Sequence, residues 1–395
     1  MGKKTQVYEY HRKHGNMVDY AGFDLPVWFE GIIPECKSVR NHAGIFDVSH
    51  MGRVLVEGPD AESLLNRLTT NDVSALAVGR GHYSLLCNSK GGVIDDLTVF
   101  KLGLTKFLVV YNAANRDKDW NWLQQHRGSQ KVKLSDVSDN VAMFAVQGPR
   151  AESLLRNVSG ARLEEMERYG TRDVKVDGVL CLITRSGYTG EDGFEVYVWN
   201  TSAEDPARAM KVWDSLLSNG REMGLRPAGL GARDVLRLEA GMCLYGNDVD
   251  EETSPIEARL GWVVRLEKED FVGKDAIIKL KAAGPSRVRI GFRMKEKGIP
   301  RQGHEILSNG EAIGKVTSGT FSPTLGVGVG MGLVKPRCAS IGERLSVKIR
   351  GRSVSAEVVK LPFYQRRYED KVVVFGDEMG LKAFRTTYAS FEKDP

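Results

Sequence analysis

The sequence of 395 residues contains few cysteines and no motif that would pair them. The five cysteines are odd in number, widely scattered and form no C-x-x-C spacing, which argues against a disulfide scaffold or a zinc site and favours free thiols in a reducing compartment. The N-terminus has no apolar core of a signal peptide, and no apolar run is long enough to span a membrane. These absences predict a cytoplasmic protein with no membrane partner.

An excess of one charge is also lacking. The net charge is only +5, from 56 basic and 51 acidic residues, and no basic run with interleaved aromatics indicates a nucleic-acid surface. The alternating glycines between 326 and 332 do not form G-x-G-x-x-G, and the seven histidines show no metal-binding spacing. Ser186 lacks the frame of a nucleophile elbow. Hydride transfer, metal hydrolysis and serine hydrolysis therefore have no support, and no metal is expected.

An internal repeat is the strongest sign of organisation. "VLVEGPDAESLLNRL" (54–68) and "MFAVQGPRAESLLRNV" (143–158) each predict a strand, a Gly-Pro turn and a helix with a leucine pair on one face. The copies lie about 90 residues apart, too far for a solenoid. A good turn would explain Gly-Pro but not the shared Ala-Glu-Ser-Leu-Leu, so duplication of an α+β subdomain is the better explanation. From Arg287 onward, short strands with Gly and Asn-Gly turns predict an all-β sandwich or barrel.

The segment "GHYSLLCNSKGGVIDDLTVF" (81–100) predicts a hairpin around an Asn-Ser-Lys-Gly turn. A four-residue loop would pair Cys87 with Gly92 and Tyr83 with Asp96, so that a phenol and a carboxylate project from one face as cross-strand neighbours. A register slip of one residue would instead bring Ser84 to that position.

The two adjacent acids of this hairpin point to opposite faces, because side chains alternate along a strand. The more apolar face carries Asp95, which would need a buried partner. Asp96 falls on the face of Tyr83 in the predicted register. An alternative stays open, in which one acid faces solvent and the other pairs with a nearby arginine.

Two further polar clusters lie at strand ends and turns. "RSGYTGEDGFEVYV" predicts a turn that brings four polar side chains together, namely Tyr188, Glu191, Asp192 and Glu195. In "GLGARDVLRLEAGMCLYGND", Arg233 lies near a helix start, where the helix dipole disfavours a cation and an anionic partner would compensate. An ordinary surface arginine paired with Asp234 or Glu239 explains it equally well.

Six motifs occurring in one order resemble the glycine cleavage system T-protein (aminomethyltransferase) family. They are "GIFDVSHMG", "GGVIDDLTV", "YNAANRDKD", "RSGYTGEDGFEVYV", "GLGARDVLRLEAGMCLYGND" and "FVGKDAI". The resemblance runs from about residue 8 to about residue 363. Departures from the family pattern are "DYAGFDLPVWFEGI" near the N-terminus, the glycine-alternating "GVGVGMGLV" and the tail after Phe363.

The resemblance implies an α+β, three-domain cloverleaf with folate in a central cavity. Two related α/β domains of ferredoxin-like type would precede a C-terminal all-β, barrel-like domain. The expected boundaries are 1–50 plus 140–255 for domain 1, 51–139 for domain 2, 256–365 for domain 3 and 366–395 for a C-terminal extension. The relatedness of the first two domains agrees with the repeat.

The resemblance also implies the reaction. An aminomethyl group would arrive on the lipoyl arm of H-protein, ammonia would leave, and the methylene would pass to tetrahydrofolate to give 5,10-methylenetetrahydrofolate. Two alternatives stay open: a demethylase that moves a methyl group from a small sulfonium or amine to tetrahydrofolate without H-protein, and a modified pterin such as tetrahydromethanopterin. A non-catalytic folate-binding factor is disfavoured, because the K-x-G-C-Y/F-x-G-Q motif of such relatives is missing.

The site residues follow from the same resemblance. The family's catalytic acid corresponds to Asp96, whose carboxylate suits the stabilisation of positive charge and the acceptance of a proton. The residues expected to bind folate are Met51, Tyr83, Asn112, Tyr188, Glu195, Arg233 and Tyr368. Glu195 would accept hydrogen bonds from pterin N–H groups, and Arg233 would meet the folate carboxylate or H-protein. Near the C-terminus, Arg366 and Arg367 compete with Tyr368 for the last position.

Overall fold

Helices and strands alternate along the first two thirds of the chain, and strands dominate the last third. The structure is a computed structural model that describes residues 2–366. The helices are α1 (Tyr8–His14), α2 (Ile32–Asn41), α3 (Ala61–Leu68), α4 (Arg116–Arg127), α5 (Ala151–Ser159), α6 (Ala207–Gly220), α7 (Leu230–Glu239) and α8 (Lys274–Ala283). None of the helices in this described range has the length and apolar character needed to cross a membrane.

The strands of the N-terminal two thirds are β1 (Asn16–Tyr20), β2 (Phe23–Trp28), β3 (Ala43–Asp47), β4 (Gly52–Glu57), β5 (Arg80–Cys87), β6 (Val93–Gly103), β7 (Lys106–Tyr111), β8 (Lys133–Asp136), β9 (Val141–Gln147), β10 (Thr171–Val176), β11 (Val179–Thr184), β12 (Gly193–Trp199) and β13 (Leu225–Pro227). Those of the last third are β14 (Val288–Met294), β15 (Glu305–Ser308), β16 (Glu311–Ser322), β17 (Val327–Val334), β18 (Arg344–Ile349) and β19 (Arg352–Val359).

Two sheets share one topology. The five-stranded sheet has the order β5-β6-β7-β4-β8, and the six-stranded sheet has the order β10-β11-β12-β9-β3-β13. In each, the first strand of the repeat leads into a helix, an antiparallel three-stranded meander follows, and a second helix comes after it. The sequence repeat therefore marks two structural copies, β4-α3-β5-β6-β7-α4 and β9-α5-β10-β11-β12-α6, and the predicted α+β fold is confirmed.

The Gly-Pro turn of each copy requires its glycine. Gly58 and Gly148 have φ of 137° and 132°, values that other residues rarely adopt. A Cβ atom on Gly58 would lie 2.2 Å from the carbonyl oxygen of Lys131, and one on Gly148 would lie 2.6 Å from that of His42. The helix that follows therefore packs against the neighbouring backbone, with its leucine pair buried in both copies.

The C-terminal strands close into a barrel in the order β14-β17-β16-β15-β18-β19, which confirms the predicted all-β domain. The alternating glycines of β17 make room for larger side chains opposite them. A Cβ atom on Gly330 would lie 2.5 Å from the ring of Phe292, and one on Gly332 would lie 2.5 Å from Ile306. Small and large residues thus alternate to fill the barrel core.

Buried side chains connect these parts within the compact unit that ends at Tyr364. One apolar core contains residues of both sheets, for example Leu108 on β7 and Met143 on β9. Another joins the β5–β6 hairpin to residues 243–277. Helix α7 reaches the barrel through Arg237, whose guanidinium donates a 2.9 Å hydrogen bond to the hydroxyl of Ser318 on β16. The domain boundaries expected from the sequence stay a prediction.

Candidate active site

The β5–β6 hairpin has a different register from the one expected. Tyr83 lies opposite Thr98, and Asp96 lies opposite Leu85, so the predicted Tyr83–Asp96 pairing is wrong. The predicted pairing of Cys87 with Gly92 is also wrong, because Cys87 lies opposite Val93. The register differs from the prediction by one residue at Cys87 and, beyond an irregularity between Leu86 and Cys87, by two residues at Tyr83. A shift of two keeps Tyr83 and Asp96 on one face.

Tyr83 and Asp96 are therefore diagonal neighbours on one face rather than opposite partners. The phenol of Tyr83 donates a 2.9 Å hydrogen bond to Oδ2 of Asp96. The other side of the Tyr83 ring stacks on the indole of Trp262, at 5.9 Å between ring centroids and an interplanar angle of 19°. Trp262 is 54% exposed, so the Tyr83 ring packs against a residue at the protein surface.

Asp95 has the buried partners that its apolar face requires. It is fully buried, and its Oδ2 accepts the backbone N–H of Asn112 at 3.0 Å. Its Oδ1 accepts the side-chain amides of Asn112 at 2.8 Å and Asn115 at 2.7 Å. The Asn112 amide also donates to Oδ1 of Asp96 at 2.8 Å. One asparagine thus donates to both carboxylates, and among residues 2–366 no arginine forms an ion pair with either acid.

The surroundings of Asp96 favour its protonated form. Burial, followed by the negative charge of Asp95, raises the pKa of Asp96 to about 7, although hydrogen bonds from Tyr83 and Asn112 act in the opposite direction. A carboxyl group with a pKa near 7 can both hold and release a proton at neutral pH. Such a shift is typical of functional sites.

A third acid, Asp119 on α4, lies behind this pair. It is fully buried, and its carboxyl oxygens accept no hydrogen bond from the described residues. Burial and then the charge of Asp95 raise the pKa of Asp119 to about 11. Asp119 is therefore neutral at physiological pH, which leaves Asp96 as the acid of the cluster whose pKa lies near neutrality.

Glu195 lies on β12, and hydrogen bonds from the described residues reach one of its two carboxylate oxygens. Its Oε2 accepts the hydroxyl of Ser186 at 2.5 Å and that of Thr184 at 3.4 Å. No hydrogen bond among the described residues reaches its other oxygen, Oε1. Burial raises the pKa of Glu195, and the hydrogen bond from Ser186 and the charge of Arg233 oppose that effect.

Arg233 does not form either of the ordinary ion pairs considered from the sequence. Asp234 pairs with Arg237 at 2.7 Å, and Glu239 pairs with Arg40 at 2.7 Å. The guanidinium of Arg233 instead lies over the ring of Tyr188, 4.7 Å from its centroid. The Tyr188 hydroxyl donates to the carbonyl of Cys243.

The other residues expected from the sequence form ion pairs, pack against the core or lie at or beyond the end of the described range. Glu191 and Asp192 form ion pairs with Arg40 at 2.7 Å and Arg185 at 2.5 Å, so these two acids of the second cluster stabilise the turn. Met51 is half-buried against the core that joins the two sheets. Arg366 lies at the end of the described range, and Arg367 and Tyr368 lie outside it.

Three residues of the site were not identified from the sequence. Asn115 and Asp119 belong to the motif "YNAANRDKD" and lie four positions apart, a spacing that places them on one helical face toward Asp95. Trp262 is an exposed tryptophan in a short turn, and its only sequence signal is an aromatic residue in "LGWVV".

Two related α/β sheets and a closed barrel define an α+β protein, and the β5–β6 hairpin of one sheet holds Asp96, a carboxyl group with a pKa near neutrality. The family described as GCVT N-terminal domain matches residues 7–268, and the family described as glycine cleavage T-protein C-terminal barrel domain matches residues 287–365. The chain belongs to the glycine cleavage T-protein family.

Relatives match over nearly the whole chain. The chain is 46% identical to an aminomethyltransferase of Halothermothrix orenii, over 91% of this chain and 99% of that protein. It is 45% identical to an aminomethyltransferase of Caldanaerobacter subterraneus subsp. tengcongensis, over 93% and 97%. The crystal structure of glycine cleavage system aminomethyltransferase T from Bartonella henselae matches with a TM-score of 0.86 and 34% identity, over 93% of this chain and 99% of that one.

Proposed function

We propose that the protein transfers the methylene of an aminomethyl group from the lipoyl arm of H-protein to tetrahydrofolate, with release of ammonia and formation of 5,10-methylenetetrahydrofolate. The single observation that carries this proposal is Asp96, a carboxyl group with a pKa of about 7 that accepts hydrogen bonds from Tyr83 and Asn112. Family membership supplies the reaction, and Asp96 supplies a group with the chemistry that the reaction needs.

The ionised form of Asp96 has two uses in this reaction. Cleavage of the carbon–nitrogen bond develops positive charge on the one-carbon unit, and a fixed carboxylate stabilises it. A folate nitrogen must also lose a proton, which a carboxylate with a pKa near 7 can accept. The hydrogen bonds from Tyr83 and Asn112 hold the carboxylate in one orientation, so that little reorganisation accompanies the change in charge.

The described residues suit a pterin with N–H donors. Oε1 of Glu195 has open lone pairs, which match amino and ring N–H groups, while Oε2 is held by Ser186 and Thr184. Tyr83, Asn112, Tyr188 and Met51 would line the ring. When bound, tetrahydrofolate supplies the nitrogen nucleophiles that accept the one-carbon unit.

A cation would receive the charged end of the folate or the H-protein. Arg233 is a candidate for this role because its guanidinium has neither of the acidic partners next to it on the helix, and a guanidinium binds carboxylates well. Tyr368 is proposed as a further contact. We also propose that the protein acts in the cytoplasm, in keeping with five free, buried cysteines.

The test is an ammonia-release assay with aminomethylated H-protein and tetrahydrofolate. We expect turnover by the wild type and a loss of at least about 100-fold in Asp96→Asn, because the amide can neither carry the charge nor accept the proton. Absence of turnover by the wild type with a competent H-protein would overturn the proposed reaction.

Asp95→Asn is the matched control, since it removes the adjacent carboxylate from the opposite face. We expect it to retain turnover and to affect mainly stability. Unimpaired turnover by Asp96→Asn would overturn the role of Asp96 and leave the reaction standing. Transfer from a small sulfonium or amine donor without H-protein would favour the demethylase instead.

A further inference from the structure

A cavity lies away from the carboxylate cluster, between the end of α7 and the barrel. Its volume is about 330 Å³, at the lower end of the range for small-molecule sites. The guanidinium-bearing residues Arg259 and Arg289 line it, together with Gly241 and the apolar side chains of Ile341 and Leu361. All of its lining residues belong to the described range, and none of them is acidic.

Arg289 on β14 is a buried guanidinium held in place by backbone carbonyls. It is 6% exposed. Its Nε donates to the carbonyl of Ala258 at 2.8 Å and its Nη1 to that of Gly241 at 2.9 Å. No hydrogen bond or ion pair among residues 2–366 uses its Nη2. A nine-tenths buried cation with an uncommitted donor lines this cavity, and a buried charge without an anionic partner is unfavourable.

Arg259 places a second positive charge at the same cavity, and its backbone adopts an unfavourable conformation. Its φ is 53°, in the left-handed region that side chains other than glycine seldom adopt. Within the described part of the chain it forms no ion pair. Although Arg259 is exposed, partial desolvation and then the nearby charge of Arg289 lower its pKa, in keeping with two cations close to each other. Local backbone strain of this kind often marks a functional position.

We propose that this cavity binds a small oxyanion, a phosphate or carboxylate group, between Arg259 and Arg289. A guanidinium offers parallel N–H donors that match two oxygens of such a group. The anion would occupy the free Nη2 of Arg289 and remove the repulsion between the two cations. The apolar wall of Ile341 and Leu361 would receive a small organic part. The site is distinct from Asp96 and does not depend on the proposed reaction.

The experiment is thermal unfolding of the full chain during titration with sodium phosphate and, separately, with succinate, at constant ionic strength maintained with chloride. We expect a saturable rise of roughly 2 to 5 °C in the melting temperature of the wild type with at least one of these anions. The two titrations distinguish a phosphate from a carboxylate ligand. No saturable rise with either anion would overturn the proposal.

Arg259→Gly removes the charge and suits the positive φ, so we expect this variant to fold. Its melting temperature without anion should rise by roughly 1 to 4 °C, and the response to the anion should be lost. Arg350→Gly is the matched control, because Arg350 has a φ of 50° and does not line the cavity. It should gain stability and keep the anion response. An undiminished response in Arg259→Gly would contradict the site.

Discussion

The phenol of Tyr83 hydrogen-bonds the carboxylate of Asp96 across the hairpin, although the two residues are not paired in the β-ladder. They are diagonal neighbours, and Tyr83 is long enough to bridge the offset. This contact stabilises the ionised form of Asp96, because a hydrogen bond to a carboxylate lowers its pKa.

Tyr83→Phe removes that hydrogen bond, so we expect the pKa of Asp96 to rise above about 7. Since the proposed reaction uses the ionised acid, the rate should fall about two- to ten-fold at neutral pH and recover in part at higher pH. A pH–rate profile measures this. Tyr20→Phe, at an exposed tyrosine of β1, is the control and should leave the profile unchanged. An identical profile in Tyr83→Phe would contradict the coupling.

Asp95→Asn removes the negative charge that raises the pKa of Asp96. The pKa of Asp96 should therefore fall, and the pH–rate profile should move toward lower pH. The new amide also faces donors from Asn112 and Asn115, so we expect a loss of about 1 to 3 kcal/mol in the free energy of unfolding. Urea denaturation measures the second effect. A profile that does not move would show that the charge of Asp95 does not raise the pKa of Asp96.

Asp119→Asn should stabilise the protein and change how its stability depends on pH. The folded chain keeps the proton of Asp119 up to a pKa of about 11, whereas the unfolded chain loses it near pH 4. Between these values the folded state holds the extra proton, so stability decreases as pH rises. The amide removes this slope and should add about 1 to 3 kcal/mol at neutral pH.

Urea unfolding of both proteins at several pH values between 5 and 9, roughly the range over which most domains stay folded, measures the difference. The other titrating groups are common to the wild type and Asp119→Asn, so they cancel in the comparison. Parallel curves of stability against pH would mean that Asp119 is not protonated in the folded chain.

Gly148→Ala should destabilise the protein by about 2 to 4 kcal/mol, since it combines a disfavoured φ with a close contact to the backbone. Gly160→Ala is the control for conformation alone. Gly160 has a φ of 68°, and a Cβ atom there would have no neighbour within 4 Å, so its cost should be only about 1 kcal/mol. Equal losses in the two variants would contradict the role of the close contact.

The repeat, the barrel and the face shared by Tyr83 and Asp96 could be predicted because each follows from local periodicity. The hairpin register could not. The backbone N–H of Val93 donates to the carbonyls of Asp250 at 3.0 Å and Thr253 at 3.1 Å, and a Cβ atom on Gly92 would lie 1.8 Å from the carbonyl oxygen of Glu251. Residues far along the chain thus fix the loop of the β5–β6 hairpin, and the local sequence of the hairpin does not indicate these contacts.

The partners of Asp95 illustrate the same limit. The motif with Asn112 and Asn115 is visible in the sequence, but only the pairing of β6 with β7 brings its amides to the carboxylate. The environment of Arg233 is in part a tertiary result, because Asp234 pairs with Arg237 one turn along α7 but Glu239 pairs with Arg40 on α2. Alternation along a strand indicates on which face of the sheet a side chain lies. Which residue it contacts on that face depends on the whole fold.

Because the two sheets share one topology, strand β6 can be compared with its counterpart in the second copy. The strand that corresponds to β6 in the second copy is β11, "VLCLIT", which has no acid. Strand β11 is thus an ordinary apolar strand, whereas β6 holds a fully buried carboxylate and a second one with a raised pKa. The two copies therefore allow a direct comparison of one strand position with two acids and without them.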